Sequence, residues 1–203
     1  MDAAGLTMPE IRRRLAAHAP LLAAGTAGPE PFRAAVAVVF STATTGAVEL
    51  LFIERARREG DPWSGQMAFP GGRAERADPD LAATAAREAR EEVGLALARP
   101  IARLDDFENS RNPRMSPLVV SPFVYQVEGR PPLAPNPEVQ STVWIPVEWI
   151  LHPDAAVDYR FERDAQELVF PAVRYDRFTV WGLTYRILVN MFAVLGLPLR
   201  PAP

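Results

Sequence analysis

FPGGRAERADPDLAATAAREAREEVGL, residues 69–95, decides how the whole chain is read. Its second half has the pattern of a helix carrying Glu88, Glu91 and Glu92. Successive helical residues rotate by about 100°, so the three carboxylates fall within one arc about 100° wide. Ala82, Ala86, Ala89 and Val93 form a separate face, small and apolar, which lets such a helix pack closely on a sheet. Asp78 is placed to cap the helix, Pro79 to open it, and Asp80 to set an acid in the first turn. Gly94 followed by Leu95 supplies the stop. Ahead of the helix, Pro70, Gly71 and Gly72 make a tight turn after a short apolar stretch, and glycine there allows a ligand to approach the main chain.

Grouping three acids on a helix has a cost. Carboxylates at i, i+3 and i, i+4 repel by about a few tenths of a kcal/mol per pair unless a cation sits among them. Hard divalent ions take oxygen ligands and bind one or two protein carboxylates together with substrate phosphates, so this face suits a metal platform. The competing reading is a solvated face laced with ion pairs, since Arg87 and Glu91 stand at i, i+4 and Arg90 lies beside them.

The order strand, Gly-Gly turn, capped helix with an acidic face and glycine stop resembles the Nudix box: G, five residues, E, seven residues, then R-E-U-x-E-E-x-G-U, with U a bulky aliphatic. Arg87, Glu88, Glu91, Glu92, Gly94 and Leu95 match its second half. The first half departs from it. Asp78 stands where the pattern has Glu, eight residues separate Asp78 from Arg87, and Ala89 is smaller than the usual aliphatic. The layout Gly71, Gly72, Glu75, Asp78, Asp80, Thr84, Ala85, Arg87, Glu88 is similar to that of the coenzyme A diphosphatase branch of the family. Leu50, Leu51, Arg55, Ala56, Gly65 and Phe69 keep much of that branch's signature upstream of the turn. The threonine of that signature is missing, the stretch from Arg55 to Gly65 is one residue longer, and its inner arginine is absent unless Arg58 serves.

Composition narrows the alternatives. A chain of 203 residues with net charge −3 suits one domain with a sizeable core and argues against a general nucleic-acid coat. All 22 basic residues apart from the histidines are arginine, which favours bidentate phosphate contacts. There are no cysteines, and the two histidines, His18 and His152, lie far apart, so thiolate and histidine zinc centres are not expected. No apolar stretch is long enough to span a bilayer, and a cytoplasmic protein is the simplest expectation.

Around the box, Met8 to His18 has the spacing of a short amphipathic helix, with Ile11 and Leu15 packing across the domain edge or Arg12 to Arg14 meeting phosphate. A Pro, Gly and Ala linker, Ala19 to Pro31, follows. Arg33–Phe40 and Val48–Glu54 are expected to pair as strands and Pro100–Phe107 and Pro117–Val127 to add two more, while Pro131 to Pro137 is a proline-rich loop leading to Glu138, Val139 and then Val143, Trp144, Ile145 and Pro146. The segment Glu108 to Ser116, with Asn109, Arg111 and Arg114, is either a nucleotide contact or an ordinary exposed loop. Val147–Leu151 starts a short helix, and Glu167–Tyr175 and Phe178–Trp181 are extended around an Asp176-Arg177 turn. Leu183, Ile187, Leu188, Met191, Phe192 and Leu195 recur at helical spacing, and Trp181 or Tyr185 either packs or stacks on a base.

The Nudix resemblance implies an α/β/α sandwich with a central mixed sheet over residues 31–203, preceded by the helix and linker of residues 1–30. It implies a hydrolase that uses Mg²⁺ or Mn²⁺ to cleave a nucleoside diphosphate linked to another group. Glu88 and Glu92 are the expected metal ligands, with Glu91 a third or acting through water, and the Gly72 carbonyl completing the shell. Arg87 would hold the carboxylates, Arg55 and Arg111 would meet substrate, and Glu91 or Glu138 would serve as general base. Glu138 enters because it lies six residues before Trp144, where many Nudix proteins carry a late-loop glutamate. Coenzyme A or an acyl-coenzyme A is the first substrate expectation. The alternatives are a nucleoside triphosphate, dinucleotide or nucleotide-sugar diphosphatase, and a catalytically silent domain that binds nucleotides or a protein. The expected partner is a small molecule, without nucleic acid or membrane, and a homodimer is left open.

Overall fold

The computed structural model describes residues 6–23, 32–59, 63–108, 118–163, 166–197 and 199–200. In chain order these form helix α1 (Met8–Ala16), strands β1 (Phe32–Thr42), β2 (Val48–Arg55), β3 (Met67–Ala68) and β4 (Gly71–Arg73), and helix α2 (Leu81–Val93). Strands β5 (Ala102–Arg103), β6 (Phe107–Glu108), β7 (Leu118–Gln126) and β8 (Val139–Pro146) follow, then the short helix α3 (Val147–Ile150). Strands β9 (Ala156–Arg163), β10 (Gln166–Tyr175) and β11 (Phe178–Val180) precede helix α4 (Gly182–Val194).

β1 is the axis of the main sheet. It runs parallel to β7, from Phe32 opposite Leu118 to Phe40 opposite Gln126. It runs antiparallel to β2 at Phe40–Leu50 and to β4 at Ala35–Gly72. β8 and β3 pair antiparallel with β2, and β5 and β6 with β7, so the sheet is mixed. A strand covered on both faces has no polar side to show, which is why β1 and β2 are apolar at nearly every position. The alternation of side chains sorts them. Ala35, Ala37 and Val39 of β1 pack with Ala85, Ala89 and Val93 of α2. Val38 and Phe40 point the other way, into a cluster with Ile11 and Leu15 of α1 and Leu188, Met191 and Phe192 of α4. Helices therefore cover both faces of the sheet, the α/β/α arrangement expected from the sequence. β9, β10 and β11 form a second, antiparallel sheet.

Several local expectations change. The N-cap of α2 is Asp80, whose carboxylate accepts from Ala83 N–H at 2.7 Å, while Asp78 is drawn away to a different partner. The buried face of α2 is centred on Ala85, Ala89 and Val93, with Ala82 and Ala86 at its margins, because the helix is rotated to carry Thr84 and Glu92 inward. The strand expected over 100–107 breaks into β5 and β6. Between them Asp105 accepts from Leu21 N–H at 2.8 Å and Asp106 from Ala23 N–H at 3.0 Å, so the side chains of this bend hold the start of the supposed linker. No strand was expected between His152 and Glu167, where β9 lies. The arginines of α1 serve packing: Arg13 and Arg14 bond Glu10, Arg14 also donates to the Leu195 carbonyl, and Arg12 reaches Gln126.

The edge that carries the glycine turn is tightly fitted. A Cβ on Gly71 would stand 2.5 Å from the Ala35 carbonyl oxygen and 2.7 Å from Val36 Cα, backbone atoms of the central strand that cannot move aside cheaply. Gly71→Ala is expected to destabilise the fold by about 1–3 kcal/mol, seen as a lower urea midpoint at unchanged slope. An unaltered midpoint would show that β4 can shift without loss.

Candidate metal and diphosphate site

Arg87 joins the parts of the site. One turn and a half into α2, its guanidinium lies against Asp78 (Nε to Oδ1 3.0 Å, Nη2 to Oδ2 3.2 Å), donates to the Arg73 carbonyl at 3.0 Å, and pairs through Nη1 with Glu88 at 3.1 Å and Glu91 at 3.0 Å. The Asp78 carboxylate also accepts from the Thr84 hydroxyl at 2.8 Å and from Glu75 N–H at 2.9 Å. The Arg87 hydrogen bonds, aided by those two donors, hold Asp78 down at a pKa of about 2, and Asp78 in turn raises that of Arg87. The loop from β4 to α2 is thus tied to the helix by the same side chain that faces the acids.

Glu92 is the buried member of the cluster, 3 % exposed, and its carboxylate accepts from Gly71 N–H at 2.8 Å. Burial pushes its pKa up to about 7. The Gly71 hydrogen bond and the Arg55 charge oppose that rise, and the charges of Glu88 and Glu138 add to it. Glu88, one turn earlier and half-buried, is also raised by burial, with Arg87 pulling the other way. It lies so close to Gly72 that a Cβ there would overlap its carboxylate. The Gly-Gly turn and the acidic helix face are therefore in contact. Glu91 is on the outer side, its side chain 54 % exposed and held by Arg87.

The late loop docks on the end of the same helix. Ala134 N–H donates to the Val93 carbonyl at 2.8 Å and Asn136 N–H to the Glu92 carbonyl at 2.9 Å, satisfying carbonyls that the end of α2 leaves open. That docking brings Glu138, just before β8, near enough for its charge to act on Glu92. Glu138 pairs with Arg58 at 2.9 Å, and Ala56 N–H donates to its carbonyl at 2.8 Å. Arg55, at the end of β2, also acts on Glu92. It does not hold Glu54, which bonds Arg177 and Ser141 instead. Arg111 and its neighbours Asn109 and Arg114 lie outside the described residues.

Glu88, Glu92, the Gly71-Gly72 turn, Arg87, Arg55 and Glu138 thus gather around one end of α2. Sequence reasoning missed Asp78 as the anchor of Arg87 and Arg58 as the partner of Glu138. Asp78 had a signal, an acid with Thr84 and Arg87 six and nine residues later; Arg58 and Glu138 are 80 residues apart and had none.

The NUDIX domain model matches residues 31–165. The chain belongs to the NUDIX family. Among its relatives, Nudix hydrolase 22, chloroplastic, of Arabidopsis thaliana is 29 % identical over 172 residues, 81 % of this chain and 56 % of that protein. The peroxisomal coenzyme A diphosphatase of Mus musculus is 26 % identical over 167 residues, 77 % of this chain and 67 % of that one. This NUDIX chain spans less than three fifths of the length of the Arabidopsis relatives it matches. Its fold is similar to that of a MutT/nudix family protein from Enterococcus faecalis, at a TM-score of 0.58 and 16 % identity, covering 93 % of this chain and 69 % of the other. The family and fold expected from the box are those found. No helix among the described residues is long and apolar enough to cross a membrane.

The residues fit a divalent cation in a particular way. Among the described residues no three acidic or imidazole groups already surround one point. What the NUDIX helix offers is a pair, Glu88 and Glu92, desolvated and mutually repelling, packed against the Gly71-Gly72 turn. That donor set matches the way Mg²⁺ is held by one or two carboxylates with phosphate and water completing the shell.

Two pH effects follow. Glu92 has a folded pKa above its unfolded one, so the fold favours its protonated form; stability falls as pH rises from about 4.5 through about 7. Metal-free Glu92→Gln is expected to be more stable than the parent at pH 8, by on the order of 3 kcal/mol, and equal to it at pH 4. A variant no more stable at pH 8 would mean Glu92 is solvated. Asp78 behaves oppositely. Its depressed pKa gives stability that is present above about pH 4 and lost as pH falls through about 2. Asp78→Asn is therefore expected to lose on the order of 2 kcal/mol at pH 6, and to approach the parent in acid, in urea titrations across that range.

Proposed function

We propose that this chain is a Mg²⁺- or Mn²⁺-dependent diphosphatase that hydrolyses the diphosphate linkage of a nucleoside diphosphate derivative, with coenzyme A or an acyl-coenzyme A as its substrate. The observation that carries the reading is the desolvated Glu88–Glu92 pair set against the Gly71-Gly72 turn. An acid pair raised in pKa by burial is unfavourable by itself and becomes favourable with a cation among its oxygens. The coenzyme A assignment is supported by the layout of Leu50, Leu51, Arg55, Gly65 and Phe69 to Gly72, and by the mouse relative, whose name is that of a coenzyme A diphosphatase.

In this reading Glu88 and Glu92 would hold the ion, with Glu91 as a third ligand or acting through water and the Gly72 carbonyl available to the shell. The bound ion would neutralise the diphosphate and acidify a water. Arg87 positions Glu88 and Glu91, and the Asp78 and Arg73 contacts fix its guanidinium. Arg55, whose charge reaches Glu92, meets a phosphate oxygen, and Arg111 is a second substrate contact. Water oxygen bonds to one phosphorus, the bridging P–O bond breaks, and each phosphorus leaves on its own product. For coenzyme A these are an adenosine bisphosphate and phosphopantetheine. The water's proton goes to Glu138, whose charge reaches Glu92, or to Glu91.

Phosphate-linked product release from coenzyme A, acyl-coenzyme A, dinucleotides, nucleotide sugars and nucleoside triphosphates, with Mg²⁺, with Mn²⁺ and with chelator, tests the assignment. Preference for coenzyme A is expected. Another preferred substrate would mean that the longer Arg55–Gly65 stretch has reshaped the site, and no turnover would favour a nucleotide-binding domain. Glu92→Gln is expected to lower turnover by about 100-fold or more through loss of a metal ligand. Glu138→Gln is expected to lower kcat by about 100-fold with metal affinity unchanged. An unchanged kcat would give the base role to Glu91.

A further inference from the structure

β9 lies at the open edge of the second sheet: it pairs with β10 on one side, and among the described residues no strand pairs with the other. An unpaired edge offers a row of N–H and C=O groups to another chain, and natural strands blunt it with proline, bulges or charged side chains, lysine above all. β9 has no proline and no lysine, and its ladder to β10 is unbroken from Val173–Ala156 to Gln166–Arg163. Pro171, which has no N–H to give, stands opposite Asp158. Hydrogen-bonded pairs alternate with open ones in an antiparallel ladder, so the bonds to β10 fall on Val157, Tyr159 and Phe161. The backbone groups of Asp158, Arg160 and Glu162 are therefore turned to the open edge.

The two faces of this ribbon differ. On one, Trp181 stacks on Tyr159 with centroids 4.3 Å apart and lies 5.2 Å from Phe161 and 5.6 Å from Phe170, while Leu168, opposite Phe161, stays 41 % exposed. On the other stand Asp158, Arg160 and Glu162, exposed and alternating in sign. Asp158 is already held, since Arg200 donates to its carboxylate at 2.7 Å and to the Val157 carbonyl at 3.0 Å. Arg160 donates to Glu167. Glu162 lies directly opposite Glu167, a like-charge pair that is unfavourable across strands, and among the described residues no cation holds it. The edge thus carries one carboxylate in need of a cation and, two residues away, an arginine with donors to spare.

A second copy of β9 supplies what is missing. Antiparallel pairing about a two-fold axis at Phe161 sets Arg160 of each copy against Glu162 of the other, so the contact is made twice. The same register builds one apolar row across both chains, from Leu168 and Phe161 of one copy to Phe161 and Leu168 of the other. An axis at Arg160 would oppose that arginine to itself and Asp158 to Glu162. An axis at Tyr159 would call on Asp158, which Arg200 occupies. We propose that the β9 edge is a self-association surface, through which two copies of this chain join their three-stranded sheets into one antiparallel sheet. A paired stretch over residues 159–163 is about 17 Å long, at the small end of protein interfaces, so the dimer is a reversible one. The inference does not rest on the diphosphatase reading.

Sedimentation of the full chain, from low micromolar to submillimolar concentration, tests the surface. The mean mass is expected to rise with concentration from 22.4 kDa towards twice that value. Arg160→Glu and Glu162→Arg, both exposed changes, each set like charges face to face twice in the pair, and each is expected to weaken association by about tenfold or more. An equimolar mixture of the two variants is expected to associate like the parent, because the glutamates at positions 160 and 162 of one chain then meet arginines of the other. Arg160→Glu combined with Glu162→Arg in one chain restores the same pairs, and decides the matter should either single variant fail to fold. A parent that stays monomeric at the highest concentration, single variants that associate as well as the parent, or a mixture and a double variant that associate no better than the single ones would overturn the surface.

Discussion

The close approach of α2 to the sheet edge is the constraint from which the rest of the structure follows. Ala35 and Ala37 on β1 meet Ala85 and Ala89 on the helix, and Gly71 and Gly72 form the short strand beside them. Small residues on both sides let a helix that carries three glutamates settle against backbone. Only at that separation does the Glu92 carboxylate meet the Gly71 N–H, and only without a Cβ on Gly72 does Glu88 fit. Arg87 then fixes the height and rotation of the helix by holding Asp78 and the Arg73 carbonyl. Packing and chemistry share the same few atoms here.

The three glutamates of one helix face have three different environments. Glu92 is enclosed, Glu88 half-enclosed and Glu91 open to solvent. An acidic face read on a helical wheel treats them as equals, but the sheet edge beneath them does not. The gradient from dry to wet suits a division of labour in which inner groups grip and outer ones exchange protons with water. The inner positions weaken the empty fold, since a buried carboxylate repelled by its neighbour is easier to keep protonated than ionised.

How far the sequence discloses this depends on how local each signal is. The box, its glycine stop and the pairing of β1 with β2 rest on residues close in the chain, and they are legible. The rotation of α2 is not, because it is chosen by Asp78, Thr84 and Arg87 together, and Asp78 in isolation looks like a cap. The break between β5 and β6 depends on Asp105 and Asp106 reaching residues 18–23, more than 80 positions away. β9 escapes notice because Tyr159 and Phe161 alternate with charged residues in a short, half-exposed strand whose partner follows at once. The ring cluster with Trp181 is likewise assembled by tertiary contact, so the sequence alone leaves this tryptophan between packing and stacking on a base.

The proline-rich loop before β8 has an entropic side. Pro131, Pro132, Pro135 and Pro137 restrict the unfolded chain before any contact forms, each removing backbone freedom that ordering would otherwise have to take away. Its two hydrogen bonds to the last carbonyls of α2 therefore fasten a segment that is already stiff. The loop acts as a strut and not as a flap: Glu138 is carried on a short rigid arm whose root is the helix end itself. Any motion that tilts α2 must move Glu92 and Glu138 together, so the distance between the two sides of the cleft is buffered against the fluctuations of either.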